Sequence, residues 1–117
     1  MIKKKDYGKD CLLALNGDRY FIDDKGDFEV IFKVISVTAT RERPHGLKYS
    51  LVLIDAQGAR IICFDNAHAV NLGPGPGKKL SSQYDHMHIG NRVFPYKFED
   101  AHALIADFWA EVDKLNF

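Results

Sequence analysis

Five histidines are the side chains of this 117-residue chain that are best suited to proton transfer or metal binding near neutral pH. Two of them, His86 and His88, lie two residues apart, and they would share one face of a strand because strand side chains alternate. Asp85 and Met87 would then point to the other side. Two imidazoles on one face repel each other when both are protonated, so the pair needs an acceptor or a chemical role.

Two further polar segments could complete a site around this pair. Asp65 and Asn66 follow a short apolar run, so they would project from the end of a strand, and His68 lies just beyond them. A turn containing proline and glycine at 43–46 carries His45. We expect both segments and the histidine pair to meet in one pocket.

The histidine pair has three interpretations. First, His86 and His88 with a carboxylate such as Asp65 would resemble a metal site made of two histidines and one carboxylate. Second, two histidines can cleave RNA without a metal: one accepts the proton of a ribose 2′-hydroxyl, and the other protonates the leaving oxygen. Third, the histidines could form a polar rim that binds another protein and catalyses nothing.

RNA cleavage without a metal also needs a cation that stabilises the negative charge on phosphorus. The acid and the base would be His86 and His88, or one of these two together with His45. The charge would come from one of three cations: Arg43, Lys48 or Arg92. Nucleophilic cysteine chemistry is disfavoured, because Cys63 lies among apolar neighbours where a thiolate is unfavourable.

The composition predicts one globular domain over residues 1–117. Hydrophobic residues make up 46%, and the 16 lysines and arginines balance the 16 aspartates and glutamates, which weakens nucleic-acid binding through net charge but allows a local basic patch. No apolar run approaches the roughly 18 residues that cross a bilayer. Residues 1–6 lack the apolar core of a signal peptide, so we expect a cytoplasmic protein in which Cys11 and Cys63 are reduced and buried.

The polar residues lie on or between predicted strands. Apolar alternation and turn residues predict strands at 28–38, 48–54, 60–64, 84–88 and 92–98, with a further return strand at 19–22. Pro95 favours a sheet edge for the last strand, because proline has no N–H to donate. Residues 11–15 form either a hairpin strand before Asn16-Gly17 or a short helix. We expect residues 1–10 to be frayed and the glycine- and proline-rich segment 71–83 to be a mobile loop.

A helix is predicted over 100–115, where apolar residues recur at helical spacing. Asp100 suits the N-cap, and His102 is interpreted as an exposed residue of the first turn. The apolar stripe should pack on the apolar face of the strands. The predicted fold class is therefore α+β, an antiparallel five- or six-stranded meander sheet with a C-terminal amphipathic helix packed on one face.

Five segments of the chain resemble, in order and spacing, a known family of small proteins. They read RPHGLKYSL at 43–51, FDNAH at 64–68, YDHMH at 84–88, PYKF at 95–98 and DFWAEV at 107–112. This pattern is similar to that of the TumE-like toxins of bacterial and archaeal toxin–antitoxin systems. The resemblance points to these positions as candidate functional residues: His45, Lys48, Tyr49, Asp65, Asn66, Asp85, His86, His88 and Tyr96.

The resemblance implies a growth inhibitor that a cognate antitoxin neutralises, expected to be a helix-turn-helix protein encoded beside it. Because many toxins of this size cut RNA, it favours a metal-independent ribonuclease without a cofactor. The expected catalytic residues are His45, Asp65, His86 and His88. The expected substrate-binding residues are Arg43, Lys48, Tyr49, Asn66, His68, Arg92 and Tyr96. The alternative is a non-enzymatic module that binds a protein or a metal through these histidines, and the assembly state, a homodimer included, stays open.

Overall fold

A single antiparallel sheet with helices on one side organises the described part of the chain. The computed structural model describes residues 8–67 and 84–115. Its elements are α1 (Gly8–Ala14), β1 (Arg19–Phe21), β2 (Glu29–Ser36), β3 (Leu47–Ile54), β4 (Arg60–Asp65), β5 (His86–Ile89), β6 (Arg92–Pro95) and α2 (Ala101–Asp113). The strands lie in the order β1-β2-β3-β4-β5-β6, and each pairs antiparallel with the next. The predicted α+β meander is confirmed, with six strands.

One face of the sheet carries the core because apolar residues alternate along its central strands. Val30, Phe32 and Val34 of β2 lie opposite Leu53, Leu51 and Tyr49 of β3, and all six are buried. On α2, Phe108 contacts the rings of Phe32 and Phe64 at centroid distances of 5.5 and 5.9 Å. We call this side of the sheet the helix face, and the opposite side the far face.

Helix α2 begins where the sequence predicts. The carboxylate of Asp100 accepts a hydrogen bond from the N–H of Ala103 at 2.7 Å, which satisfies one of the free donors of the first turn. The stripe of Leu104, Phe108 and Val112 is buried on the sheet, while His102 is exposed, as expected. Neither helix of the described residues is long and apolar enough to span a membrane.

The amino-terminal segment is helical and not a hairpin strand. Gly8–Ala14 forms α1, so Gly8, Lys9 and Asp10 belong to its first turn and are not frayed, while residues 1–7 lie outside the described residues. Leu12 enters the core, but Cys11 is exposed, which corrects its expected burial. The helix ends because Asn16-Gly17 pairs with the outer edge of β2, where the N–H of Gly17 donates to the carbonyl of Phe32.

The later strands differ from the prediction at their ends. Strand β5 begins at His86 and not at Tyr84, and β6 stops at Pro95 and not at Phe98. Strand β6 is the edge of the sheet, as Pro95 indicated, because proline cannot extend the ladder. The segment 71–83, expected to be a mobile loop, lies outside the described residues.

The core position of Phe108 gives a stability prediction. We expect Phe108→Ala to lower the free energy of unfolding by about 3–5 kcal/mol, because it removes a fully buried ring and leaves a cavity. The matched control is Phe21→Ala, since that ring is 59% exposed and its loss should cost under about 1 kcal/mol. Urea unfolding followed by circular dichroism measures both, and equal losses would contradict the assignment of the core.

Candidate functional site

The sheet sorts the polar candidates onto two opposite faces. Phe64 and Met87 are cross-strand partners on the helix face, and so the alternate residues Asp65 and His86, which also pair directly, lie on the far face. Cys63 and His88 form the next far-face pair. His45 instead contacts helix-face side chains, described below. The prediction of a single pocket that joins His45 with the histidine pair is therefore wrong.

On the helix face, a buried network joins His45, Tyr49 and Asp85. The carboxylate of Asp85 accepts the hydroxyl proton of Tyr49 at 2.7 Å and lies 3.0 Å from Nε2 of His45. The N–H of Leu47 donates to Nδ1 of His45 at 3.2 Å, so the imidazole carries its proton on Nε2 and donates it to Asp85. Both ring nitrogens are thus engaged within the protein. This arrangement orients groups and offers no spare nitrogen for proton transfer to a substrate.

The turn that carries His45 is fixed on several sides. The imidazole packs on the ring of Phe98 with centroids 3.9 Å apart, and the ammonium of Lys9 donates to the carbonyl of His45 at 2.5 Å. Gly46 has a φ of +74°, and a Cβ there would lie 3.2 Å from the carbonyl oxygen of Val37. Only glycine fits this turn without strain.

The Tyr49 hydroxyl is held in its donor form. Burial raises the pKa of Tyr49 far above its ordinary value, and the negative charge of Asp85 raises it further. Tyr49 was predicted to bind substrate, but its hydroxyl is committed to Asp85 inside the core. Its hydroxyl is therefore not available as a donor to a substrate, and the predicted substrate-binding role of Tyr49 stays a prediction.

Asn66 and Arg43, two more predicted substrate-binding residues, are engaged with the backbone. The amide of Asn66 accepts from the N–H of Tyr49 at 2.8 Å and donates to the carbonyl of Leu47 at 2.7 Å, so it extends the pairing of β3 with β4. The guanidinium of Arg43 donates to the carbonyls of Asn66 and Ala67 at 2.9 and 2.6 Å. These contacts hold the end of β4.

Arg92 and Tyr96 lie away from the histidine pair. Arg92 is the cross-strand partner of Ile89 on the helix face, where its guanidinium lies 5.9 Å from the ring of Phe94. Tyr96 donates its hydroxyl proton to Asp107 of α2 at 2.6 Å, and burial with the neighbouring carboxylate raises the pKa of Tyr96 above its ordinary range. His68 lies outside the described residues.

The far face carries a polar row across four adjacent strands. Lys33 of β2 lies opposite Ser50 of β3, Ser50 lies opposite Asp65 of β4, and Asp65 lies opposite His86 of β5. His88 follows on the same face of β5, with its ring centroid 4.8 Å from that of His86 and the planes at 82°. We call these five residues the polar row.

His86 and Asp65, at the buried end of this row, each form a hydrogen bond to the backbone. The ring of His86 donates Nδ1–H to the carbonyl of Tyr84 at 2.7 Å, so in the neutral ring Nε2 is the basic nitrogen. The carboxylate of Asp65 accepts from the N–H of Ala67 at 2.6 Å. His86 is only 1% exposed, whereas His88 is half-buried.

The described residues contain neither a cluster of metal ligands nor a reactive thiol at the polar row. Within residues 8–67 and 84–115, no three histidine, cysteine, aspartate or glutamate side chains are placed to hold a metal ion. The alternative ligand set of His86, His88 and Asp65 lies within these ranges, and its three side chains are not placed to hold a metal ion. Burial, and then the charge of Asp65, raise the pKa of Cys63 to about 11, so its thiol stays protonated at neutral pH.

A pocket of about 310 Å³ opens at the lysine end of the polar row. We call it the lysine pocket, and its lining residues are Asn16, Lys33, Val34, Ile35, Lys48, Tyr49, Ser50 and Ala67. Lys48 was expected from the sequence, but Lys33 and Ser50 were missed. Only the register of β2, β3 and β4 could have shown that these side chains adjoin Asp65.

Comparison with known proteins gives one family. The family model described as Toxin TumE matches residues 15–116, which is most of the chain. Neither the search of curated proteins nor the search of solved structures gave a match.

The helix-face network yields a second stability prediction. We expect Asp85→Ala to destabilise the fold by about 1–3 kcal/mol for each of the two buried donors, on Tyr49 and His45, that it leaves without an acceptor. The control is Asp107→Ala, which removes one bond to Tyr96 at the surface and should cost about 1 kcal/mol or less. Thermal and urea unfolding compare the two variants. A cost no larger for Asp85→Ala than for its control would contradict a supporting role of the network.

The two cysteines give a labelling prediction. At pH 8 the exposed Cys11 should react with iodoacetamide in the folded protein, whereas Cys63 should not, because it is buried and protonated. Mass spectrometry should find one modified cysteine in native buffer and two after unfolding in guanidinium chloride. Rapid native labelling of Cys63 would disprove its burial beside Asp65.

Proposed function

We propose that this chain, which belongs to the TumE toxin family and so is the toxin of a toxin–antitoxin system, arrests growth by cleaving RNA on the far face of its sheet. The observation that carries this proposal is the polar row, which aligns two imidazoles, a carboxylate and a lysine across neighbouring strands. These are the groups that metal-independent RNA cleavage requires. The family also implies an antitoxin as the partner.

The reaction would be an internal transfer of the phosphodiester. The ribose 2′-oxygen attacks phosphorus while a base takes the 2′-proton, and the bond from phosphorus to the 5′-oxygen breaks as an acid protonates that oxygen. The products are a 2′,3′-cyclic phosphate and a 5′-hydroxyl. Nε2 of His86 suits the base, because Nδ1 already donates to Tyr84, and His88 then acts as the acid.

The charge distribution supports these roles. Lys33 and Lys48 are exposed at the end of the polar row and can stabilise the negative charge that develops on the phosphoryl oxygens. Asp65 directly opposes His86 across β4 and β5, where a carboxylate stabilises an imidazolium that forms during the reaction. A zero net charge is compatible with this local patch of cations.

Exposure sets the order in which the two histidines meet RNA. His88 is half-buried and accessible, while His86 is 1% exposed, so the substrate contacts His88 first and must open an approach to His86. The network of His45, Tyr49 and Asp85 acts indirectly, since Asp85 precedes His86 and anchors the start of β5. His45 is thus a positioning residue in this mechanism.

The neutralising partner is the other half of the proposal. We infer from the resemblance a helix-turn-helix antitoxin encoded next to this chain, and an RNA target would put the toxin's action in the cytoplasm. The neighbouring reading frame tests this inference directly. A small protein without a helix-turn-helix that nevertheless restores growth would contradict the type of antitoxin and leave the toxin class intact.

Alanine variants of the histidine pair test the cleavage mechanism. We expect His86→Ala and His88→Ala each to lower the rate of RNA cleavage by roughly 10²–10⁴-fold, the usual loss when one acid or base is removed. The matched control is His102→Ala, because that histidine is exposed on α2 and far from the polar row. Growth after induction and cleavage of a labelled oligoribonucleotide by the purified protein are the measurements.

The products and the metal dependence complete this test. Cleavage should persist in EDTA and yield ends that carry a 2′,3′-cyclic phosphate. If the double variant His86→Ala, His88→Ala arrests growth as fully as the parent chain, acid–base catalysis by this pair is excluded. The same result would also contradict the alternative of a non-enzymatic module that binds through these histidines, and the toxin would then act through other residues.

A further inference from the structure

We propose that the lysine pocket binds one nucleotide of a single-stranded RNA, with the base inside the pocket and the two lysines on the flanking phosphates. The proposal deepens the proposed function, because it rests on RNA as the substrate, but it requires no cleavage. It assigns the recognition of substrate to β2 and β3, whereas the proposed acid–base groups lie on β5.

The volume and the lining of the pocket suit an aromatic base. Its volume of about 310 Å³ is at the lower end of the range for small-molecule sites. The surface inside is almost wholly apolar, because Ile35, Ala67 and the methylene stems of Lys33 and Lys48 line it. An apolar surface favours burial of a base over burial of a phosphate, because burial of an unpaired charge is far more unfavourable than burial of an uncharged ring.

Two polar side chains belong to the lining of this pocket. The hydroxyl of Ser50 belongs to the lining, as does the side chain of Asn16. The oxygen of the Asn16 amide accepts from the N–H of Val34 at 2.9 Å, which fixes the orientation of the side chain. Its NH₂ group then points away from that bond and can donate to the edge of a base.

The charges select an anionic occupant. Lys33 and Lys48 are exposed, and within the described part of the chain neither forms an ion pair or a hydrogen bond. Among the residues that the structure describes, no carboxylate lines the pocket. The closest acidic group in the row is Asp65, which lies opposite Ser50 and would repel a phosphate. The phosphates are therefore expected on the lysine side.

The position of the pocket connects it to the histidine pair. Ser50 and His86 lie on the same face with β4 between them, and two strand spacings amount to roughly 10 Å. A nucleotide held in the pocket would place the adjoining phosphodiester over the polar row. The pocket would thus hold the residue that flanks the scissile bond.

Binding of an uncleavable strand tests the proposal. The probe is a fluorescein-labelled single-stranded deoxyoligonucleotide, which lacks the 2′-hydroxyl and cannot undergo the proposed reaction. We expect Lys33→Gln with Lys48→Gln to weaken its binding by roughly ten- to a hundred-fold at 50 mM salt, and to reduce the salt slope of log K by about 1.4, or about 0.7 per phosphate contact. The measurement is fluorescence anisotropy at several salt concentrations.

Matched variants make the result specific. Lys25→Gln with Lys97→Gln removes the same charge from exposed sites outside the pocket and should leave both quantities nearly unchanged. Lys33→Arg with Lys48→Arg keeps the charge and should keep the binding. Thermal unfolding of all three double variants controls for folding. Equal losses in the two glutamine variants would overturn the proposal, as would competition by polyglutamate as effective as that by unlabelled oligonucleotide.

The outcomes separate this inference from the cleavage mechanism. In a His88→Ala background, which should have lost RNA cleavage, Lys33→Gln with Lys48→Gln should still weaken binding of the probe by the same factor. Lysine-dependent binding by a chain that cuts no RNA would support the pocket and contradict the ribonuclease. Cleavage that is unchanged in kcat/KM by Lys33→Gln with Lys48→Gln would contradict both the pocket and the charge-stabilising role proposed for these lysines, and would leave only the acid–base roles of the histidine pair.

Discussion

The register of β4 between β3 and β5 decides which polar side chains can act together. A slip of one residue would move every side chain of a strand to the opposite face. Leu51, Phe64 and Met87 form one cross-strand row under the helices, so burial of these apolar groups opposes any slip. Their alternate neighbours are thereby held on the far face. The alignment of Asp65 with His86 is a by-product of packing on the other side of the sheet.

Two buried polar groups reinforce this register. The Asn66 side chain bonds to the backbone of β3 on both its donor and its acceptor side. Asp85 is a buried carboxylate, which would be unfavourable without partners, and it accepts from Tyr49 and lies within hydrogen-bonding distance of His45. Buried polar groups of this kind penalise alternative packings, because a shifted strand would leave them unsatisfied. They therefore favour the observed arrangement of β3, β4 and β5 over shifted ones.

Local patterns in the sequence predicted most of the helices and strands. They could not predict which distant residues lie side by side in the sheet. Helix α2, its Asp100 cap and the shared face of His86 and His88 follow from periodicities of 3.6 and 2 residues. The segment 11–15 before Asn16 is too short for its periodicity to distinguish a helix from a strand. The turn at 43–46 contains no signal for its direction, and it takes His45 to the helix face. The neighbours Lys33 and Ser50 of the polar row come from the pairing of strands distant in sequence, which one sequence does not encode in any local pattern.

The turn before β3 has one more consequence. The guanidinium of Arg43 donates to the carbonyl groups of Asn66 and Ala67, and it lies 5.2 Å from the ring of Tyr84. The backbone N–H of Tyr84 donates to the carbonyl of Glu42. A single turn thereby ties down both ends of the connection between β4 and β5. Doubling the length of a connection between fixed ends costs only about 0.6 kcal/mol in chain entropy. A change in the number of residues between these two anchors is therefore expected to leave the alignment of β4 with β5 unchanged.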